Sequence, residues 1–330
     1  MLYIVYNEST RKYGVMNMDI RKLVNTALCK PDKGDKIEYF NMKGRVSANV
    51  LVTSQQNMPT CSYTYEADVT KFMDAFNDFK KDCGYKLSFN TVMMRILVEC
   101  LKVSPRLNAH IQYNHFTACG KLVVKEHINV AMPVVMKTGE TFTVNVTEIE
   151  NKSLKEISDQ IAMLLDKVEN SDIDRSLFDL LTLRMFGRIF MGKVASTVSQ
   201  IVTAYAGKYK VVALDTAFRK HKENDLTIDE LNEGTVCLTN WGSLAKGECF
   251  NGHVPYSPLL HPQVFLMSLG NVQEQNYVFR NEKGEIDMGT KKILPITLLF
   301  DHRIGGFADI APVVLKLDEI FSNPEIIKEW

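Results

Sequence analysis

The sequence predicts an α/β chain of the α+β kind, with strands and helices layered around one sheet. Three observations predict it. The apolar run Ile293 to Phe300 has the length and composition of a buried strand, and Ile310, Val313, Val314, Leu317 and Ile320 recur behind it at helical spacing. Residues 62–69 alternate as a half-buried strand does, and Phe72, Phe76 and Phe79 follow at helical spacing. The strand-like Phe142-Thr-Val-Asn-Val-Thr precedes Ser153-Leu-Lys-Glu156. That tetrad is a capping box, in which serine accepts from the helix start and glutamate reaches back to the serine backbone.

The elements follow in order. Residues 1–40 are mixed and polar, with Lys30-Pro-Asp-Lys-Gly-Asp-Lys as a loop, and read as an arm; residues 41–330 form the body. Asp68-Val-Thr70 leads the first phenylalanine-bearing helix. A second helix spans 89–103, turns Val92, Ile96 and Leu97 inward, and ends before Pro105. Strands are expected near 110–116, 120–125 and 127–135, then the 142–147 strand and a helix from Ser153 to about Glu169. Between Leu177 and Ala206, Phe178, Leu181, Met185 and Ile189 share one helical face, with Arg184, Arg188 and Lys193 elsewhere. Packing on the body is the expected use of that face, with a lid or a membrane-surface helix as other uses.

Composition narrows the function. The 330 residues, 45% hydrophobic, suffice for a large core. Lys plus Arg and Asp plus Glu each total 39, so net charge is zero and no basic block supports nucleic-acid binding. No apolar run approaches the roughly 20 residues that cross a bilayer, and the N-terminus lacks the pattern of a signal peptide. The 7 cysteines form no CxxC pair and suggest no disulfide framework, so a cytoplasmic setting is expected. Neither His110, His115, Cys119 and His127 nor Cys249, His253 and His261 matches a zinc spacing, so no metal site is expected.

The chemistry concentrates where the last strand ends. Asp301-His302-Arg303 and then Gly305-Gly306 follow Phe300 directly. A strand, a bend and a helix thus deliver an imidazole to a rigid corner, as a general base requires. Asp301-His302-Arg303 with Ala308, Asp309 and Ala311 resembles the Asp-His-Arg signature of the dihydrolipoyl acyltransferase catalytic domain, which shares its fold and catalytic histidine with chloramphenicol acetyltransferase. Four further segments resemble that family in the right order: Asn90 to Ala109, Ile128 to Val134, Lys152 to Ile157, and Gly234 to Gly242.

The resemblance implies a chloramphenicol acetyltransferase-like two-layer sandwich, a mixed sheet with helices, forming homotrimers with each site at a subunit boundary. It implies acyl transfer from acyl-CoA as substrate, with no tightly bound cofactor, to a small thiol, hydroxyl or amine acceptor. His302 would be the base. Thr239 would donate to the oxyanion, a contribution typically worth about 3–4 kcal/mol of barrier. Asp301, Arg303, Asn240 and Asp309 are supporting candidates, and Arg45 falls near an early family arginine. Gly242-Ser-Leu-Ala-Lys246-Gly247 and Lys291-Lys292 are read as solvated, with phosphate contact as a second use.

Three departures stand out. Where the family carries Asp and Gly, four and five residues after the histidine, this chain has Gly306 and Phe307. Residues 171–231 form a helical insertion atypical of the family. The 40 N-terminal residues are too few for a lipoyl domain, so a stand-alone member is expected, and Asp166-Lys167-Val168 reads as surface charge. Two alternatives follow: a degenerate acyltransferase serving as a binding or structural trimer, and the core subunit of a 2-oxo acid dehydrogenase complex.

Overall fold

The computed structural model describes residues 30–114, 117–137, 139, 141–190, 192–213, 215–222, 224–231, 234–243 and 252–330, with the backbone of 4–7 and 12–15. His115, Cys249 and the Lys246-Gly247 end of the 242–247 loop lie outside the described residues. The chain divides into two compact units, Met1–Asn41 and Met42–Trp330. In the first, β1 (Ile4–Asn7) and β2 (Lys12–Val15) pair antiparallel, Ile4 opposite Val15.

The second unit opens with α1 (Met42–Asn57), β3 (Thr60–Asp68), α2 (Thr70–Asp82) and α3 (Phe89–Val103). Next come β4 (Ala109–Asn114), β5 (Cys119–Val124), β6 (Val130–Val135), β7 (Thr141–Val146) and α4 (Leu154–Asn170). Helices α5 (Ile173–Phe190), α6 (Val194–Tyr205) and the single turn α7 (Ile228–Leu231) precede β8 (Val236–Asn240), β9 (Phe265–Leu269) and β10 (Gln273–Arg280). The chain closes with β11 (Ile286–Asp301) and α8 (Phe307–Ser322).

Seven strands make one mixed sheet, in the order β10-β11-β9-β8-β6-β7 with β3 also on β11. Strands β6, β8 and β9 run parallel and the remaining pairs antiparallel. Ile293 and Ile296 of β11 face Asp68 and Tyr65 of β3 while they also pair with Gln273 and Leu269. Strands β9 and β10 therefore lie end to end along one edge of β11, and β3 takes the other. Hairpin β4–β5 forms a separate sheet.

Alternation along the strands builds the two layers. Ile296, Leu298 and Phe300 join Phe72, Leu97, Leu164 and Val313 of the helices in the main core. Leu299, Leu266, Cys237 and Ala131 form a small cluster with Met58 and Leu259 on the opposite face. Full burial of each large apolar side chain contributes roughly 1.5–3 kcal/mol, so this asymmetry fixes which face the helices cover. Local chemistry agrees with it. Ser88 Oγ accepts from the Thr91 N–H at the start of α3. At α4, Glu156 N–H donates to Ser153 Oγ at 3.3 Å, and Ser153 N–H to the Glu156 carboxylate at 2.8 Å.

Candidate active site

Strand β11 ends in a clamp. Asp301 is fully buried, and its N–H donates to the Val264 carbonyl. Its carboxylate accepts from the Arg303 backbone N–H at 2.9 Å, from Nε at 2.9 and 3.1 Å, and from Nη2 at 2.5 Å. Such a fork-to-carboxylate pair is directional as well as charged. Arg303 also lies 5.5 Å from the Tyr113 ring centre. His302 is thus the middle residue of a three-residue ring closed by an ion pair. Its N–H donates to Pro59 O at 2.8 Å, and its exposed imidazole lies 6.1 Å from the Phe300 ring.

The next residues lock that clamp to the body. Ile304 is buried; its N–H donates to Asp301 O, and its carbonyl accepts from Arg106 Nη2 at 2.7 Å. Arg106 also stands 3.6 Å from Asp309, whose backbone carbonyl accepts from Ser104 Oγ. Gly306 N–H donates to Asp309 Oδ2 at 2.9 Å, and Asp309 N–H to Gly306 O at 3.0 Å. Asp309 therefore caps α8, with a carboxylate at a helix start where the dipole favours it. A β-carbon at Gly305 would fall 2.1 Å from Asp309 Oδ2, whereas one at Gly306 would meet nothing within 4 Å. Gly305 is required by its neighbour; Gly306 is not.

A cleft of about 620 Å³ opens beside the turn, walled by the end of α1 and Pro59, by Tyr113 and Lys121 of the β4–β5 hairpin, and by Arg106 and Arg303. Pro59 and Arg303 also flank the His302 backbone. A second imidazole belongs to this neighbourhood. His261 N–H donates to Ser54 Oγ, and desolvation with the charges of Arg303 and Lys193 holds its ring below the usual imidazole range, against the pull of Asp301. Neither Arg106 nor His261 had a role in the sequence reading. The Pro105-Arg-Leu-Asn108 segment was the available signal for Arg106; the loop before β9 carries no periodic pattern to signal His261.

The remaining candidates lie elsewhere. Half-buried Thr239 stands opposite Ser268 on β9, which stands opposite Thr297 on β11, which stands opposite Thr64 on β3. Thr64 and Thr297 hydroxyls are 3.1 Å apart, and the buried Ser268 hydroxyl has no partner among the described residues. Asp301 is four residues along β11 from Thr297, about 13 Å, and Thr239 is two strands across, about 10 Å more. One chain does not bring His302 and Thr239 together. Cys237, on the face of Thr239, is buried, and that burial pushes its thiol up to about 12.

Asn240 serves the strand end, donating to Asn90 Oδ1 at 2.6 Å and accepting from Ser243 N–H. Arg45 does not meet the 301–309 turn; it donates to Thr203 Oγ1 at 2.9 Å and Tyr209 O at 3.2 Å, and so ties α1 to the insertion. Lys291 and Lys292 are matched by Asp68 at 3.0 Å and Asp74 at 2.7 Å, which leaves neither as an open phosphate contact. Lys167 forms a mostly buried pair with Glu230 at 2.7 Å, so its charge is structural and not on the surface.

Solved structures share this fold. The probable dihydrolipoamide acetyltransferase of Listeria monocytogenes superposes with a TM-score of 0.58 at 16% identity, covering 88% of this chain and 97% of that one. The cubic core of the pyruvate dehydrogenase multienzyme complex gives 0.59 at 16% identity, covering 90% and 95%. The truncated catalytic core of a 2-oxoacid dehydrogenase complex from Thermoplasma acidophilum gives 0.57 at 19%, covering 88% and 99%. The architecture is thus the fold that these cores share.

The chain belongs to the 2-oxoacid dehydrogenases acyltransferase (catalytic domain) family, whose model matches residues 32–179 and 211–327. Sequence relatives include the dihydrolipoyllysine-residue acetyltransferase components of pyruvate dehydrogenase complex from Acholeplasma laidlawii and Staphylococcus aureus. They are 21% and 23% identical over 301 residues, 90% of this chain. The match takes 43% and 53% of those proteins, so the chain spans about half the length of the curated relatives it matches.

Proposed function

We propose that the chain transfers acyl groups between coenzyme A and a thiol acceptor, in a trimer that completes each site from two copies. The Asp301–Arg303 clamp is the observation that carries the reading. It fixes a backbone, not a ring, and so leaves the His302 imidazole exposed on a rigid corner. His302 would take the proton of the attacking thiol. The resulting thiolate adds to the thioester carbonyl, and the Thr239 hydroxyl of a neighbouring copy donates to the oxygen that becomes negative. Collapse expels the leaving thiolate, which recovers the proton from His302. Coenzyme A enters as a substrate; the reaction needs no resident cofactor.

The activity for which the relatives are named supports a dihydrolipoyl thiol as acceptor, ahead of a hydroxyl or amine, and so favours the core of a 2-oxo acid dehydrogenase complex over a free-standing enzyme for small acceptors. Free thiols at Cys61, Cys83 and Cys119 agree with a reducing, cytoplasmic setting, and among the described residues no helix is long and apolar enough to cross a membrane. A trimer that binds without turnover is the second reading, and the bare Gly306 favours it. Formation of S-acetyldihydrolipoamide from acetyl-CoA and dihydrolipoamide decides between them. Turnover that His302→Ala reduces to background supports the enzyme; equal background rates in both proteins overturn it.

A further inference from the structure

The sheet face away from the helices carries two neighbouring rows of side chains. In one, Cys237, Leu266 and Leu299 stand opposite one another across β8, β9 and β11 and belong to the small apolar cluster. In the next, Thr239, Ser268, Thr297 and Thr64 place a hydroxyl on each of four strands. Thr64 is exposed and Thr239 half-buried at the ends of that row. Ser268 and Thr297 lie between them at 1% and 0% exposure.

One hydroxyl of the row has no use in the fold. Thr297 and Thr64 bond each other at 3.1 Å, but the buried Ser268 Oγ has no partner among the described residues. A buried hydroxyl left unpaired is destabilising, and alanine would fill the same place without that cost. Along its own strand no side chain answers it. Two residues away on the same face stand Leu266 and Gly270, neither with a polar side chain. Its neighbours across the strands are Thr297, already paired with Thr64, and Thr239. Paired strands lie about 4.8 Å apart, so rotation about the Cα–Cβ bond carries one hydroxyl to the next.

We propose that Ser268 is a positioning residue for acyl transfer. Its O–H donates to Thr239 Oγ1 and so aims the Thr239 proton at the oxygen that becomes negative. The inference rests on the acyl-transfer reading of Thr239 given above. A hydroxyl proton rotates to suit its surroundings, and a donor bonded behind it removes that freedom and polarises the O–H. The strand end is already fixed, because Asn240 donates to Asn90 Oδ1 at 2.6 Å and accepts from Ser243 N–H at 3.1 Å. The rotor of Thr239 is what remains to be set. Both hydroxyls come from one chain, so the pair enters the site of a neighbouring copy together.

The test compares wild type, Ser268→Ala and Ser268→Cys in forming S-acetyldihydrolipoamide from acetyl-CoA and dihydrolipoamide, with Tm measured on each. Ser268→Ala should lower kcat about fivefold, the rate equivalent of one hydrogen bond. Both KM values should stay unchanged, and Tm should hold or rise because an unpaired buried hydroxyl is gone. Ser268→Cys, with a weak donor in its place, should follow alanine in kcat. A wild-type kcat in either variant, with Thr239→Ala at background, overturns this proposal and leaves the acyl-transfer reading standing. A Tm that falls together with kcat in Ser268→Ala makes the serine a packing residue and overturns it as well. Wild type no faster than His302→Ala, or Thr239→Ala as fast as wild type, overturns the acyl-transfer reading and this proposal with it.

Discussion

Replacing Gly305 with alanine should unseat the turn that carries His302, and the structure gives the size of the effect. The new β-carbon would lie 2.1 Å from Asp309 Oδ2, 2.5 Å from its Cγ and 3.2 Å from its Cβ. Asp309 is the side that must move, and moving it drops the Gly306 N–H at 2.9 Å and the Arg106 contact at 3.6 Å. Loss of the helix-start bond costs about 1 kcal/mol, and forcing an atom into filled space about 1–3 kcal/mol. The expected destabilisation is therefore about 2–4 kcal/mol, read as a lower urea midpoint at constant m-value. Asp309→Ala alone should cost about 1 kcal/mol. The double variant should cost little more than Asp309→Ala, because the clashing carboxylate is gone, giving a coupling of about 2–4 kcal/mol. If the two single effects simply add, the contact described between Gly305 and Asp309 does not limit this turn and the reasoning fails.

Three further outcomes follow. Asp301→Ala leaves the largely buried Arg303 guanidinium without its partner and should cost about 3–5 kcal/mol, with a lower rate of S-acetyldihydrolipoamide formation; a urea midpoint close to wild type would remove the clamp from the account. Gly306→Asn meets open space and offers a side chain at the N-cap of α8, so it should raise the midpoint by a few tenths of a kcal/mol, about the Gly-to-Asn difference at an N-cap, whereas a fall would mean the space is needed. The His127 ring is raised above its ordinary value mainly by its hydrogen bond to Glu150. That pair stabilises the fold below the ordinary imidazole value, and the contribution fades as pH rises through the raised one. NMR titration should find the His127 midpoint above that of a model imidazole and lower in Glu150→Gln; an unchanged midpoint in the variant contradicts the pairing.

Much of the fold was legible because its elements obey a single period. Phe89–Val103 was readable end to end, since Ser88 caps it and Pro105 stops it. The Ser153 capping box formed as its tetrad requires. Helix α1 was not legible: it buries only Met42 and Ser54, so its apolar residues lack a stripe. Strand β9 is buried at every position, which erases alternation, and β10 is exposed at nearly every position, which erases it from the other side. The apolar run before Asp301 showed only the buried half of β11; the Ile286–Lys292 half pairs with β10 and is mostly exposed.

The site divides in the same way. His302 and its flanking charges are contiguous, so the sequence presented them together. Arg106 and His261 reach the turn through tertiary contacts that no local pattern encodes. Arg45 illustrates the opposite failure, since a matching position in the chain supplied a residue whose guanidinium the insertion takes up.

Co-expression of His302→Ala with Thr239→Ala tests the central claim most directly. Each variant alone should form S-acetyldihydrolipoamide at background. If every site takes His302 from one copy and Thr239 from its neighbour, random mixed trimers restore about one site in four, and the co-expressed protein should show about a quarter of wild-type activity. Activity that stays at background, with both chains present in the purified oligomer, would contradict the shared site.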